Sequence, residues 1–394
     1  ARSAARSAPR DRAARGRAGA MPRAAAAALL PALAAACSYV EVPAPGGSFV
    51  IARTMELGPT GGGGAAAAGA PRSEELEPWR VVVHPRGQDG SLTNRFGFLG
   101  VDSVMAGKGI SFDGMNEAGF TVSLHTMRMA EYERPDPQKL ALRLEKVVPW
   151  LLGQFDSVAA AAEGLANVSV VSGSLTRELF AHWALADAQG NSAVLEYVGG
   201  RRTLHTNDVR VMTNDPDYLW HVKNLNMYVG LSPQVPNAND GIAVKTAIGE
   251  VPQVWSQGFN LAALPGDASP ASRFVRLFYL RQYAVTQVPI ASTDDAMVLA
   301  TGLLNNVFIP KGTSAPMQPA MGKDVFDFTQ WALLKLPAQR RLLFRGYRDM
   351  TWQQVNLSQV DWTQGSSVPV SDGSLGIQDV TANFRPRAAA EQVI

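Results

Sequence analysis

From residue 37 onward the apolar positions fall first into short runs: "SYVEV", "SFVIARTM", "WRVVVHP", "FGFLGV" and "FTVSLHTM". Each run is bounded by Gly, Pro, Asn or Asp, so the pattern predicts antiparallel strands joined by turns. The stretch "DPQKLALRLEKVVPWLLGQF" spaces its apolar residues three to four apart and predicts a helix, as does "SVAAAAEGLANV". Strands return in "FAHWALADAQGNSAVLEYVGGRRTLH", where two apolar runs flank "AQGNS" and predict a hairpin. "DVRVMTNDPDY" reads as a further strand ending in a turn. "SPASRFVRLFYLRQYAV" and "STDDAMVLATGLLNNV" open with helix-start chemistry, and "FTQWALLKLPAQRRLLFRGY" and "TWQQVNL" close as strands. This order lacks the βαβ alternation of a parallel sheet. It predicts an α+β fold in which two antiparallel sheets pack together under helices.

Two stretches stand outside that pattern. Residues 58–78, "GPTGGGGAAAAGAPRSEELEP", read as a low-complexity loop insertion; no G-K-[ST] follows the glycines, so they are not a phosphate loop. Residues 1–36 are rich in arginine and alanine. Within them "MPR", from Met21, and "AAAAALLPALAAA" have the basic and apolar regions of a signal peptide. The apolar run is about 13 residues, too short to cross a bilayer. An organellar transit peptide is the alternative for residues 1–20. The expected organisation is a removable leader, 1–36, and one domain, 37–394, carrying the insertion at 58–78. The expected location is secreted, periplasmic or in an organelle lumen.

The leader also changes the meaning of the net charge of +2. It holds seven arginines and one acid, Asp11, six positive charges in excess, which leaves the rest of the chain four negative. The folded part therefore offers no electrostatic case for nucleic acid. Nor does it contain an apolar stretch long enough to predict a membrane span.

Cys37 is the single cysteine, which excludes an intramolecular disulfide and a multi-cysteine metal site. The five histidines (84, 125, 182, 205 and 221) have no metal-ligand spacing, so neither a metal nor a cofactor is implied. A lone cysteine is ordinarily an inert small hydrophobe. Position alters that reading: a cut after Ala36 would put an α-amine of pKa about 8 beside a thiol of about 8.5. One residue would then supply nucleophile and base. The competing reading is lipid attachment at that cysteine, against which stands Ala34, where such signals usually carry Leu.

Five ordered blocks decide between these readings: Cys37, "ARTME" (52–56), "GMNEAGF" (114–120), "MTNDP" (212–216) and "LPGDASPASRF" (264–274). Together they resemble the choloylglycine hydrolase family of N-terminal-nucleophile amidohydrolases, the bile salt hydrolases and penicillin V acylases. The resemblance implies a four-layer αββα fold and hydrolysis of a linear C–N amide. It assigns Cys37 as nucleophile, Arg53 as the cation beside the sulfur, and Arg273 as a second active-site arginine. Asn214, and the backbone or side chain at Asn116, become oxyanion donors, and Met55 lines a pocket for a bulky apolar acyl group. Glu56 stands where the family has an aspartate that holds the amine, longer by one methylene. The implied substrates are bile salts, penicillin V or other N-acyl amides, including acyl-homoserine lactones. A homotetramer built through a hairpin within 224–258 is a further implication. Taken singly, the arginines read as ordinary ion-pairing residues, and both asparagines stand in turn contexts. A catalytically inactive homologue that binds an amphipathic ligand is the alternative, with the Glu56 departure as its only hint.

Overall fold

Period-two alternation puts every second side chain of a strand on the same face, and here it builds two large sheets that share one buried layer. The computed structural model describes residues 35–57, 79–105, 108–173, 180–234, 244–251, 258–314, 327–371 and 375–378. The leader up to residue 34 and the expected insertion at 58–78 lie outside the described residues.

The first sheet contains β1 (Ala35–Pro43), β2 (Phe49–Leu57), β10 (Val211–Met212), β11 (Thr329–Leu336), β12 (Arg341–Gly346) and β13 (Gln353–Asn356), in the order β10-β1-β2-β11-β12-β13. The second contains β3 (Arg80–His84), β4 (Phe98–Met105), β5 (Lys108–Asn116), β6 (Thr121–Thr126), β7 (Ala181–Ala186), β8 (Ser192–Val198), β9 (Arg201–Thr206) and β14 (Ser366–Pro369). Its order is β9-β8-β7-β6-β5-β4-β3-β14. Neighbouring strands in both sheets run antiparallel.

Between the sheets lie Met55, Phe112, Trp331 and Leu333 in one apolar cluster, with Cys37 among them. Helix α1 (Val147–Gln154) covers the outer face of β5 and β6, and α2 (Val158–Leu165) follows it. Helix α3 (Tyr218–Asn224) leads out of β10. Helices α4 (Pro270–Gln287) and α5 (Thr293–Asn305) cover β1 and β2 from the other side, burying Phe274, Leu303 and Leu304 against Val40 and Ala52. The layers are therefore helix, sheet, sheet, helix, as expected.

The helix-start signals at Ser269 and Ser292 hold, each serine capping a helix by accepting from a backbone N–H three residues on, and Ser157 caps α2 in the same way. One expectation fails. Of "DPQKLALRLEKVVPWLLGQF" only Val147–Gln154 is α-helical; Leu140–Arg143 is a strand paired in parallel with Val168–Val171. The alternating order Leu140, Ala141, Leu142, Arg143, Leu144 satisfies period two as well as period 3.6, and a waiting partner strand decides it. In the expected assembly segment, Val244–Thr246 and Gly249–Val251 form a hairpin with Ile248 exposed at its turn. The rest of that segment lies in part outside the described residues.

A surface ion cluster gives the second sheet a pH dependence. His84 on β3 stacks on Phe98, and its ring nitrogens lie 2.7 Å from Asp89 and 2.9 Å from Asp102. Burial alone would depress its pKa, but the hydrogen bonds to Asp102 and Asp89 outweigh that and raise it from 6.5 to about 9. The pKa is raised in the folded state, so the stabilisation is complete below 6.5 and lost as pH rises through about 9. The difference corresponds to roughly 3 kcal/mol. His84→Gln should lose about that much in urea unfolding below pH 6.5 and differ little from the parent above pH 9. Equal losses at both ends would refute the assignment.

Candidate active site

Cys37 is the third residue of β1, opposite Met55 on β2. Its side chain points into the layer between the sheets and is fully buried with Ala36 still attached. There Sγ lies 3.3 Å from Met55 Sδ, and Nη2 of Arg53 approaches it to 3.7 Å. Alternation along β2 explains the distribution: Arg53 and Met55 share the inner face, while Thr54 and Glu56 look toward α4 and α5. Arg53 is also held by the Leu124 carbonyl and lies over the Trp331 ring at 4.6 Å.

From the helix side comes Arg273. In the "LPGDASPASRF" block Asp267 accepts from Ser269 N at 2.8 Å and Ser272 Oγ at 2.5 Å, and Ser269 caps α4. This fixes the first turn of α4 and points Arg273 at β1. Its guanidinium donates to the Cys37 carbonyl (2.5 Å), Ser38 Oγ (2.8 Å) and Asn214 Oδ1 (2.8 Å).

Asn214 is the hub. Its Oδ1 accepts from Cys37 N at 2.7 Å, and its Nδ2 donates to both the carbonyl and hydroxyl of Thr126 at 3.0 Å. Its amide thus meets Cys37 through oxygen, with both N–H groups engaged by Thr126. Thr126 was absent from the sequence-derived set, yet its backbone N–H reaches the Cys37 sulfur. That is where a donor to a developing oxyanion is needed. A backbone donor leaves no side-chain signature in the sequence.

Glu56 lies opposite Ala36, the residue a cut would release. It is fully buried, accepts from Thr329 Oγ1 at 2.8 Å, and its Oε2 has no aligned hydrogen bond among the described residues. Burial raises its pKa to about 7, with Arg273, the Thr54 and Thr329 hydroxyls and Arg53 opposing. The Cys37 thiol is likewise raised, by burial first; Arg53, Arg273 and the Thr126 N–H lower it and Glu56 raises it. With Ala36 attached, the sulfur is a quiet thiol.

One expectation is corrected. Asn116 is not brought to Cys37. Asp113 and Met115 on β5 face the first sheet, so Gly114 and Asn116 face α1; a Cβ on Gly114 would meet Leu152. The Asn116 amide donates to the carbonyls of Leu152 and Phe155 and accepts from the N–H groups of Ala118 and Phe120. Gly119, at φ +83°, completes the same turn under the Pro337 carbonyl. The "GMNEAGF" block is therefore an architectural turn. Met55 lies beneath the sulfur and is fully buried. A cavity of about 580 Å³ opens beside Ala36, Thr126 and Asn214, with Arg128, Asp215, Ser269, Pro270, Ile309 and Asp327 also lining it.

Three of the five histidines are buried around the hub. Strand β10 is only two residues long, so the loop after it lacks a ladder. His125 Nδ1 and His182 Nε2 each lie 3.1 Å from the Thr213 carbonyl, and His221 Nε2 lies 2.9 Å from the Asn214 carbonyl. A carbonyl only accepts, so each of these nitrogens carries a proton. Burial depresses the pKa of His125 well below 6.5 and that of His221 to about 4. Glu196 bonds His182 Nδ1 at 2.8 Å and caps Tyr218 N at 2.9 Å, so it anchors both ends of the loop. Among the described residues no group of three His, Cys, Asp or Glu could hold a metal ion, and no helix is long and apolar enough to cross a membrane.

Known proteins resemble this chain in sequence and in fold. The profile of the linear amide C–N hydrolases, choloylglycine hydrolase family, matches residues 37–369, beginning at the buried cysteine. The bile salt hydrolase/transferase of Clostridium perfringens is 32% identical over 248 residues, 61% of this chain and 70% of that one. The penicillin V acylase of Pectobacterium atrosepticum is 25% identical over 248 residues, 58% of each. A solved variant of the Clostridium perfringens conjugated bile acid hydrolase superposes with a TM-score of 0.73 at 23% identity, covering 87% of this chain and all of that one. The penicillin V acylase from Agrobacterium tumefaciens superposes at 0.62 with 18% identity, covering 87% and 94%. With that match, this two-sheet chain, built around a cysteine, two arginines and an asparagine, belongs to the choloylglycine hydrolase family of linear amide C–N hydrolases.

Proposed function

We propose that Cys37 is the nucleophile of this hydrolase and becomes competent when the chain is cut after Ala36. The observation that carries this is the bond from Cys37 N to Asn214 Oδ1, in a residue whose sulfur already faces Arg53 and the Thr126 N–H. An α-amine freed at that nitrogen stays held by Asn214 and gains the Glu56 carboxylate, whose Oε2 supplies the missing counter-charge. An ammonium beside Glu56 lowers the carboxyl's pKa, and its positive charge favours the thiolate.

In the forward step the neutral amine takes the thiol proton while Sγ attacks the substrate carbonyl carbon. The oxyanion is met by Thr126 N–H, and by Asn214 Nδ2 once the substrate displaces the Thr126 hydroxyl. The C–N bond breaks, the ammonium protonates the leaving amine, and a thioester remains. Water, deprotonated by the same amine, hydrolyses it and restores the thiol.

The substrates proposed are N-acyl amides, with penicillin V-like compounds and acyl-homoserine lactones level with bile salts. Leader removal places the enzyme outside the cytosol: secreted, periplasmic or in an organelle lumen. The test is the intact mass of protein expressed from Met21 in a secreting host, followed by an amide panel. A mass starting at unmodified Cys37, with release of amine from any panel member, is the expected result. An added diacylglycerol would transfer the case to a lipid-anchored protein. A free N-terminal Cys37 with no turnover, unrescued by Glu56→Asp, would transfer it to an inactive ligand-binding homologue.

A further inference from the structure

Across the buried layer from Cys37 lies a charge pair that the mechanism above does not use. Lys335 on β11 shares the inner face with Trp331 and Leu333 and is fully buried. Its Nζ donates to Asp113 Oδ1 at 2.5 Å and to Ser123 Oγ at 2.7 Å. Asp113 and Ser123 are direct cross-strand partners on β5 and β6, so the second sheet presents both acceptors to one lysine of the first. The other carboxylate oxygen, Asp113 Oδ2, lies 3.3 Å from Arg53 Nε without a hydrogen-bond alignment. Arg53 and Asp113 are both fully buried.

A buried arginine opposite a carboxylate ordinarily closes into a two-pronged, hydrogen-bonded pair. Here it does not. The carboxylate is bonded to Lys335 instead, and the guanidinium is left turned so that Nη2 reaches the Leu124 carbonyl and the Cys37 sulfur. We propose that Lys335 and Asp113 are positioning residues for Cys37: Lys335 withholds the Asp113 carboxylate from Arg53 and so keeps the Arg53 guanidinium aimed at the nucleophile. The inference rests on Cys37 being the reactive group, and its test does not require the substrate.

The charged and polar groups facing each member are few. Cys37 meets Arg53 and Glu56 from β2, Arg273 from α4, the Thr126 N–H from β6 and Asn214 from the loop. Asp113 meets Arg53, Lys335 and the Tyr39 hydroxyl, and Lys335 also feels Glu41. Removing the lysine lets Asp113 close on Arg53 and draw its charge from the sulfur. Removing the carboxylate leaves Arg53 uncompensated. The two changes therefore move the thiolate in opposite directions, which a purely structural role would not do.

Because Cys37 is the single cysteine, its ionisation can be followed by ultraviolet thiolate absorbance against pH, with the matching Cys37→Ser protein as blank. Lys335→Met should raise the thiolate midpoint by about one pH unit and Asp113→Asn should lower it. Ser123→Ala, which loosens Lys335 while keeping every charge, should raise it by less. In an Arg53→Gln background the Lys335→Met shift should vanish. A folded Lys335→Met protein with an unmoved midpoint overturns the proposal. So does a shift that persists in full without Arg53, because the pair would then act by its direct field. If wild type hydrolyses no amide, the functional reading fails while these midpoints still decide the positioning role.

Discussion

Cys37→Ser should lower turnover of any amide substrate by roughly three orders of magnitude or more, with little effect on stability. The substitution is nearly isosteric at a fully buried position, so no cavity is opened and the neighbouring bonds survive. What is lost is acidity. Arg53, Arg273 and the Thr126 N–H lower the cost of forming an anion on sulfur, and burial raises it. A thiol starting from a pKa of about 8.5 comes within reach of an α-amine of about 8, whereas an alcohol does not. The check pairs kcat on a responsive amide with the unfolding midpoint of the same preparation. A serine protein that keeps its stability but not its turnover supports the nucleophile. Turnover within tenfold of wild type would return Cys37 to the status of an inert hydrophobe.

The site is unevenly legible in the sequence, for physical reasons. Strands and helices are legible where one period dominates and where caps mark the start, as at Ser269 and Ser292. Alternation alone places Arg53 and Met55 on one face of β2 and Glu56 on the other. The same rule separates Asn116 from Asp113 on β5, so the motif that suggested Asn116 was overruled by facing. Asp113 and Lys335 are 222 residues apart, and nothing local records that their strands face each other. Thr126 acts through its backbone, and the histidines act on carbonyls, so neither has a spacing signature. Residue identity points to the groups whose side chains are proposed to do the chemistry. Those that aim them emerged only when the two sheets were brought face to face.

Asn214→Ala should cost about 10²–10³-fold in kcat, more than loss of an ordinary hydrogen-bonding residue. Its Oδ1 is shared by the Cys37 nitrogen and the Arg273 guanidinium, and its Nδ2 ties down both polar groups of Thr126. Alanine therefore releases the nitrogen that is to become the base, one contact of the arginine bound to the Cys37 carbonyl, and the residue whose N–H meets the sulfur. None of these contacts grips the distant part of a substrate, so KM should change far less than kcat. Asn214→Asp divides the effects: it keeps the acceptor for the amine and Arg273 but loses the donors to Thr126, and it should fall between wild type and alanine. The backbone here is held separately, by His125 and His182 at Thr213 and by His221 at Asn214, so the loop should stay in place when the side chain is cut back. Kinetics of both variants on one amide, beside their melting curves, give the answer. If Asn214→Ala stays within tenfold of wild type, the amine does not depend on this amide, and Glu56 alone must hold it.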